Sequence, residues 1–211
     1  MKKASIFILV LALVYLTAVF PVNCFADDNV FPDIRGHWAE KYIVELVKKG
    51  GITGMLDGNF HPKEDVTFPQ FIKIIIGCVY GEIEPVDGGD WASGYVHKAL
   101  EVGIIDSLNT VYGGEFTRND AARVIADSLK YIYHEEEADD TSVAERFEDY
   151  PGCLSCRGAF HATVGQCYVK GIITGKPGPV FDGDASLTRA EACIVIMKMI
   201  DPSLRVPIVI D

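Results

Sequence analysis

The 211-residue sequence predicts an all-α fold made of three helical repeats, and three recurring features carry that prediction. Apolar residues return at helical spacing in each copy, a Gly-Ile turn follows each first helix, and a threonine-led cap opens the second. A sequence period of roughly 50 residues marks units that bury their apolar faces only against one another.

The first copy spans residues 31–84. Phe31, Asp33 and His37-Trp38 lead into a helix from Ala39 with Ile43, Val44, Leu46 and Val47 on its apolar side. The run stops at Gly50-Gly51, an ordinary helix terminus, and Gly51-Ile52-Thr53-Gly54 makes the turn. Phe60 and Pro62 follow in a loop, and Thr67 with Gln70 forms a capping box for a helix over Phe71 to Tyr80. The second copy, residues 85–134, places Trp91 the same 12 residues before Gly103 as Trp38 lies before Gly50. Val96, Ala99 and Leu100 supply its first apolar face, and Thr117-Arg118-Asn119-Asp120 caps a helix from Ala121 to Tyr133. Its loop from turn to cap is shorter, 14 residues from Gly103 to Thr117 against 17 from Gly50 to Thr67, and has lost the Phe-x-Pro. The third copy, residues 146–200, opens at Phe147-Glu148-Asp149, carries Pro151 to Gly158 as an insertion, and puts Ala159 in the tryptophan register. Its helix with Val164, Cys167 and Tyr168 ends at Gly171-Ile172-Ile173-Thr174-Gly175, and Thr188-Arg189-Ala190-Glu191 caps the last helix. A short tail, 201–211, follows. The acidic stretch from His134 to Glu145 reads first as a solvated linker or frayed helix end, as like-charge blocks usually do, with a site for a cation or a basic partner as the alternative.

Residues 1–26 read as a secretory signal: Lys2 and Lys3 precede the apolar run Ile6 to Phe20, and Cys24-Phe25-Ala26 offers a cleavage site. That run is shorter than the roughly 20 residues of a spanning helix, and no other stretch is long and apolar enough, so no membrane span is expected after cleavage. The formal charge of −11 becomes more negative once Lys2 and Lys3 are gone, leaving 17 basic against 30 acidic side chains. No basic face is present to screen phosphate, which excludes a nucleic-acid partner. Five cysteines remain after cleavage, with Cys78 and Cys193 placed in apolar helical runs.

In their order and repetition, these motifs resemble the S-layer homology (SLH) domain family. The carriers are Phe31, Asp33, His37-Trp38-Ala39, Gly51-Ile52-Thr53-Gly54 and Phe60-His61-Pro62 in the first copy, and Thr188-Arg189-Ala190-Glu191 in the third. The resemblance implies a pseudo-threefold, three-pronged helical unit. It further implies noncovalent attachment of an exported protein to a bacterial cell wall, with grooves between prongs that take a pyruvylated secondary wall polysaccharide. Other envelope proteins are the alternative partners, if degraded grooves leave the module as a structural adaptor.

Arg118 and Arg189 sit at the first helical position, where their charge opposes the helix dipole by about 0.3 to 1 kcal/mol. Helix stability does not ask for them. An arginine beside exposed N-terminal amides suits a carboxylate such as that of a pyruvyl ketal, while an interprong ion pair is the structural alternative. Trp38 and Trp91 can stack on a sugar face or anchor the core. Asp33, Asp87 and Asp149 can accept sugar hydroxyls or cap the following segment. The first copy has Phe68 in place of the arginine and the third lacks the tryptophan, with Phe160 a near substitute, so one or two competent grooves are expected. Cys153, Cys156, His161 and Cys167 do not share a face suited to zinc, and the Asp57 and Asp182 loops lack the ligand series of an EF-hand, so no metal and no cofactor are expected. With no nucleophile motif, no His-Glu-x-x-His and no phosphate loop, the chain reads as a binding module and not as an enzyme.

Overall fold

A computed structural model describes residues 30–86, 88–108, 114–149, 159–206 and 208, with backbone alone at 159–161. Among the described residues the regular structure is helical: α1 (Glu40–Lys48), α2 (Phe68–Tyr80), α3 (Ser93–Glu101), α4 (Arg118–Tyr131), α5 (Ala159–Val169) and α6 (Arg189–Ile200), with short 3-10 turns between. The all-α class is therefore what the chain adopts. Residues 1–26, expected to be a signal segment, Asp87, Cys153 and Cys156, and the side chains of Phe160 and His161, lie outside the described residues.

The three second helices start alike. Thr67, Thr117 and Thr188 each accept a hydrogen bond from the backbone N–H three residues on, and Gln70, Asp120 and Glu191 reach back to the threonine amide. Both orphan donors at each helix start are thereby satisfied. α2 and α4 begin at Phe68 and Arg118, three residues earlier than the apolar pattern suggests, because the capping box itself defines the first turn.

Each second helix packs against the first helix of a different sequence copy: α2 with α3, α4 with α5, and α6 with α1. The buried faces are Phe71, Ile72, Ile75 and Ile76 on α2, Val124, Ile125 and Leu129 on α4, and Ile43 and Leu46 on α1 against Cys193 and Ile196 on α6. Long, short-looped copies thus interlock through helices that none of them could bury alone. The turns after α1 and α5 close on the opening phenylalanines. Gly54 (φ 76°) and Gly175 (φ 79°) adopt the left-handed conformation, and a Cβ on either would stand 2.3 Å from the Phe31 ring or 2.6 Å from the Phe147 ring.

The acidic stretch is mostly exposed, as a solvated linker would be, but departs from that reading at Glu135. Glu135 accepts from both terminal nitrogens of Arg205, at 2.7 and 2.8 Å, and from Lys170 Nζ at 2.8 Å. Arg205 Nε also donates to the Lys198 carbonyl, and Val206 N–H to the Gly171 carbonyl, so the segment clasps the tail to α5 and α6. A charge block counted in one dimension hides the two cations, Arg205 and Lys170, that meet Glu135 in space.

Candidate functional site

The junctions between helix pairs are built by the residues that the sequence singles out. At the start of α6, Arg189 N–H donates to the Glu64 carbonyl (2.8 Å) and Ala190 N–H to the Pro62 carbonyl (3.0 Å). The Arg189 side chain lies over the Phe60 ring, 4.6 Å from its centroid, and Nε donates to the Phe60 carbonyl at 2.8 Å. The start of α4 repeats this geometry: Arg118 N–H meets the Ala185 carbonyl, Asn119 N–H the Gly183 carbonyl, and Arg118 Nε the Phe181 carbonyl at 3.0 Å. Both arginines are almost fully buried.

These contacts correct the sequence reading of Arg118 and Arg189 at one point. The helix-start amides are not open to an anion, because backbone carbonyls of the Phe-x-Pro-type loops take them. Nor is the main junction contact an ion pair: it is an arginine cupped on an aromatic ring and bonded to that residue's own carbonyl. Asp33 and Asp149 support the same loops from the other side. The Asp33 carboxylate accepts from Phe60 N–H and His61 N–H at 2.9 and 2.7 Å, and Asp149 accepts from Phe181 N–H and Asp182 N–H at 2.9 and 2.6 Å. They cap a segment, as one of the two sequence readings allowed, but one 27 to 33 residues away in the chain. Periodicity does not reveal so distant a partner.

Trp38 and Trp91 are 56% and 51% exposed, which removes them from the core. Trp38 stands beside His37, ring centroids 5.2 Å apart. Trp91 lines a half-open groove of about 660 Å³ together with Arg189, Gln70, Lys73 and the turn from Gly51 to Leu56. The structure thus brings Trp91 and Arg189 into one site, assembled from all three sequence copies.

Lys73 is the site residue that the sequence reading missed. Its ammonium donates to the Thr53 hydroxyl, within the Gly-Ile-Thr-Gly turn. Burial lowers its pKa, Glu82 opposes that shift, and the Arg189 charge adds to it. Two cations sharing one groove under partial desolvation favour an anionic guest between them. The position was legible in principle: six residues after the cap threonine stand Lys73, Arg123 and Ile194, so only two copies keep a cation there. Among the described residues no cluster of histidine, cysteine, aspartate and glutamate is arranged to hold a metal.

Among the described residues, helix pairs cross-latched by arginines carry an exposed tryptophan and two cations around one groove. The model of the S-layer homology domain matches residues 30–72 and 159–193. Two regions of the chain are thus similar to the S-layer homology domain. It is 26% identical over 196 residues to an amylopullulanase of Thermoanaerobacterium thermosulfurigenes, covering 85% of this chain and 10% of that protein. It is 28% identical over 178 residues to an S-layer protein of Bacillus licheniformis, covering 79% of this chain and 19% of the relative. A cellulosome-anchoring protein of Acetivibrio thermocellus is 44% identical over 43 residues, 20% of this chain and 10% of that protein. The chain therefore spans a tenth to a fifth of the length of these relatives. Family and relatives together make it an exported, surface-associated bacterial protein. No helix among the described residues is long and apolar enough to cross a membrane.

Proposed function

We propose that this chain is a noncatalytic anchoring module that binds an acidic, pyruvylated secondary wall polysaccharide noncovalently through the groove of Trp91, Lys73 and Arg189. The observation that carries the reading is the meeting of an exposed indole with two cations beside a glycine turn. A tryptophan face takes the apolar side of a sugar ring. Lys73 and the outer edge of Arg189 take the carboxylate, while Arg189 Nε stays on the Phe60 carbonyl. Residues 31–84, 85–134 and 146–200 are the three copies, and residues 1–26 are the export signal. Trp38 and Arg118 are the remaining parts of a second groove that has Ile194 where the first has Lys73.

The test is co-sedimentation of the folded chain with purified wall sacculi, before and after the polysaccharide is stripped. Retention should be lost on stripping and weakened in Lys73→Met and Trp91→Ala. An adaptor that binds envelope proteins would instead stay bound to stripped envelopes, and unchanged retention of both variants would reject this groove.

A further inference from the structure

Among the described residues, two of the three junctions between helix pairs are latched by backbone hydrogen bonds and an arginine, and the third shows neither. Where α6 meets the loop before α2, the latch comprises the Arg189 and Ala190 amides, the Val66 N–H on the Leu187 carbonyl (2.8 Å), and Arg189 on Phe60. Where α4 meets the loop before α6, it comprises the Arg118 and Asn119 amides and Arg118 on Phe181. An isolated backbone bridge accompanies each, Asp65 with Thr188 and Thr117 with Ser186.

Where α2 meets the segment before α4, the corresponding bridge would join Thr67 to Glu115. Both segments are described, yet no backbone hydrogen bond links residues 64–69 to residues 114–117. Sequence chemistry explains the loss. Proline at position 69 has no N–H where Asn119 and Ala190 donate, and Phe68 has no guanidinium where Arg118 and Arg189 reach a carbonyl. Among the described residues an aromatic contact crosses the junction: Phe68 and Phe71 against Phe116, centroids 4.7 and 4.8 Å apart. A half-open cleft of about 450 Å³ lies along this junction, lined by Asp65, Thr67, Phe68, Glu115, Phe116 and Ser186 among others.

We infer that the molecule hinges at this junction: the α2/α3 and α4/α5 pairs part there while each stays latched to α6. Directional hydrogen bonds hold two junctions in one register. An aromatic cluster is less directional and slides or separates with fewer bonds to break. The groove at Trp91 and Arg189 lies at a latched junction, so hinging leaves its walls in place.

The test uses the full mature chain with spin labels on unnatural residues at exposed Glu101, Lys130 and Lys41, on α3, α4 and α1, in pairs. The Glu101–Lys130 distance distribution is expected to be about twice as wide as Glu101–Lys41 and Lys130–Lys41. Amide exchange at Phe68 and Phe116 is expected to run at least about tenfold faster than at Arg118 and Arg189. Phe116→Ala should widen Glu101–Lys130 further and leave Glu101–Lys41 unchanged. Equal widths for all three pairs in the unmutated chain would overturn the inference, whether or not Phe116→Ala folds.

Discussion

Arg189 and Arg118 do at the residue scale what a covalent crosslink does in smaller exported domains: each ties a helix start to a loop of another copy through one ring, one carbonyl and two amides. A buried charge-assisted hydrogen bond contributes about 1.5–3 kcal/mol and a desolvated cation–π contact about 1–2. Arg189→Ala or Arg118→Ala should therefore destabilise the chain by about 2–4 kcal/mol in urea titration, with little recovery from lysine, whose point charge does not reproduce the guanidinium plane. Asp33→Ala and Asp149→Ala, each removing a carboxylate shared by two amides, should cost about 2–3 kcal/mol by the same measurement. The sequence makes the arginines conspicuous because their charge opposes the helix dipole. It does not show why they are tolerated, since the relieving carbonyls of Phe60 and Phe181 lie 129 and 63 residues away. The capping threonines, whose partners are three residues on, were fully legible.

Among the elements, α4 and the segment that follows it hold two carboxylates of opposite pH response, Asp127 and Glu135. Asp127 on α4 is pushed up to about 6, first by burial, with Asp106 and Glu137 adding to the rise and Arg123 and Lys130 opposing it. A carboxylate with a raised folded pKa favours the fold when protonated, so this contribution is present at low pH and is lost as pH rises through about 6. Asp127→Asn should consequently be the more stable protein at pH 7.5, by on the order of 1 kcal/mol after solvent screening, with the difference vanishing towards pH 4 in thermal melts. Glu135 has the opposite sign. Its bonds to Arg205 and then Lys170 hold it down at about 2, so the clasp is intact above the ordinary carboxylate range and releases as pH falls through that value. Glu135→Gln should free the Arg205 tail at neutral pH, seen as faster amide exchange at Val206, whose N–H rests on the Gly171 carbonyl. Helix positions followed from periodicity and caps. The clasp did not, because its cations, Lys170 just past α5 and Arg205 in the tail, are 35 and 70 residues from Glu135.

For the whole molecule, latching and the proposed binding share a residue: Arg189 closes the junction between α6 and the loop before α2, and it also lines the groove with Trp91 and Lys73. The opening repeat, the best preserved in motif, lacks the arginine yet supplies Lys73 and the Gly51–Leu56 turn, so each copy gives a different part of one site. Such a site is visible only after helices are exchanged between copies, which explains why the sequence pointed to its tryptophan and arginine but not to its lysine.

The most direct test of this account is the affinity of the folded chain for purified wall polysaccharide by titration calorimetry, with the polymer's carboxylates intact or reduced to alcohols. The account predicts that carboxylate reduction and Lys73→Met each weaken binding by about 10- to 100-fold, and that the two losses do not add. Equal affinity for the intact and reduced polymers would contradict it.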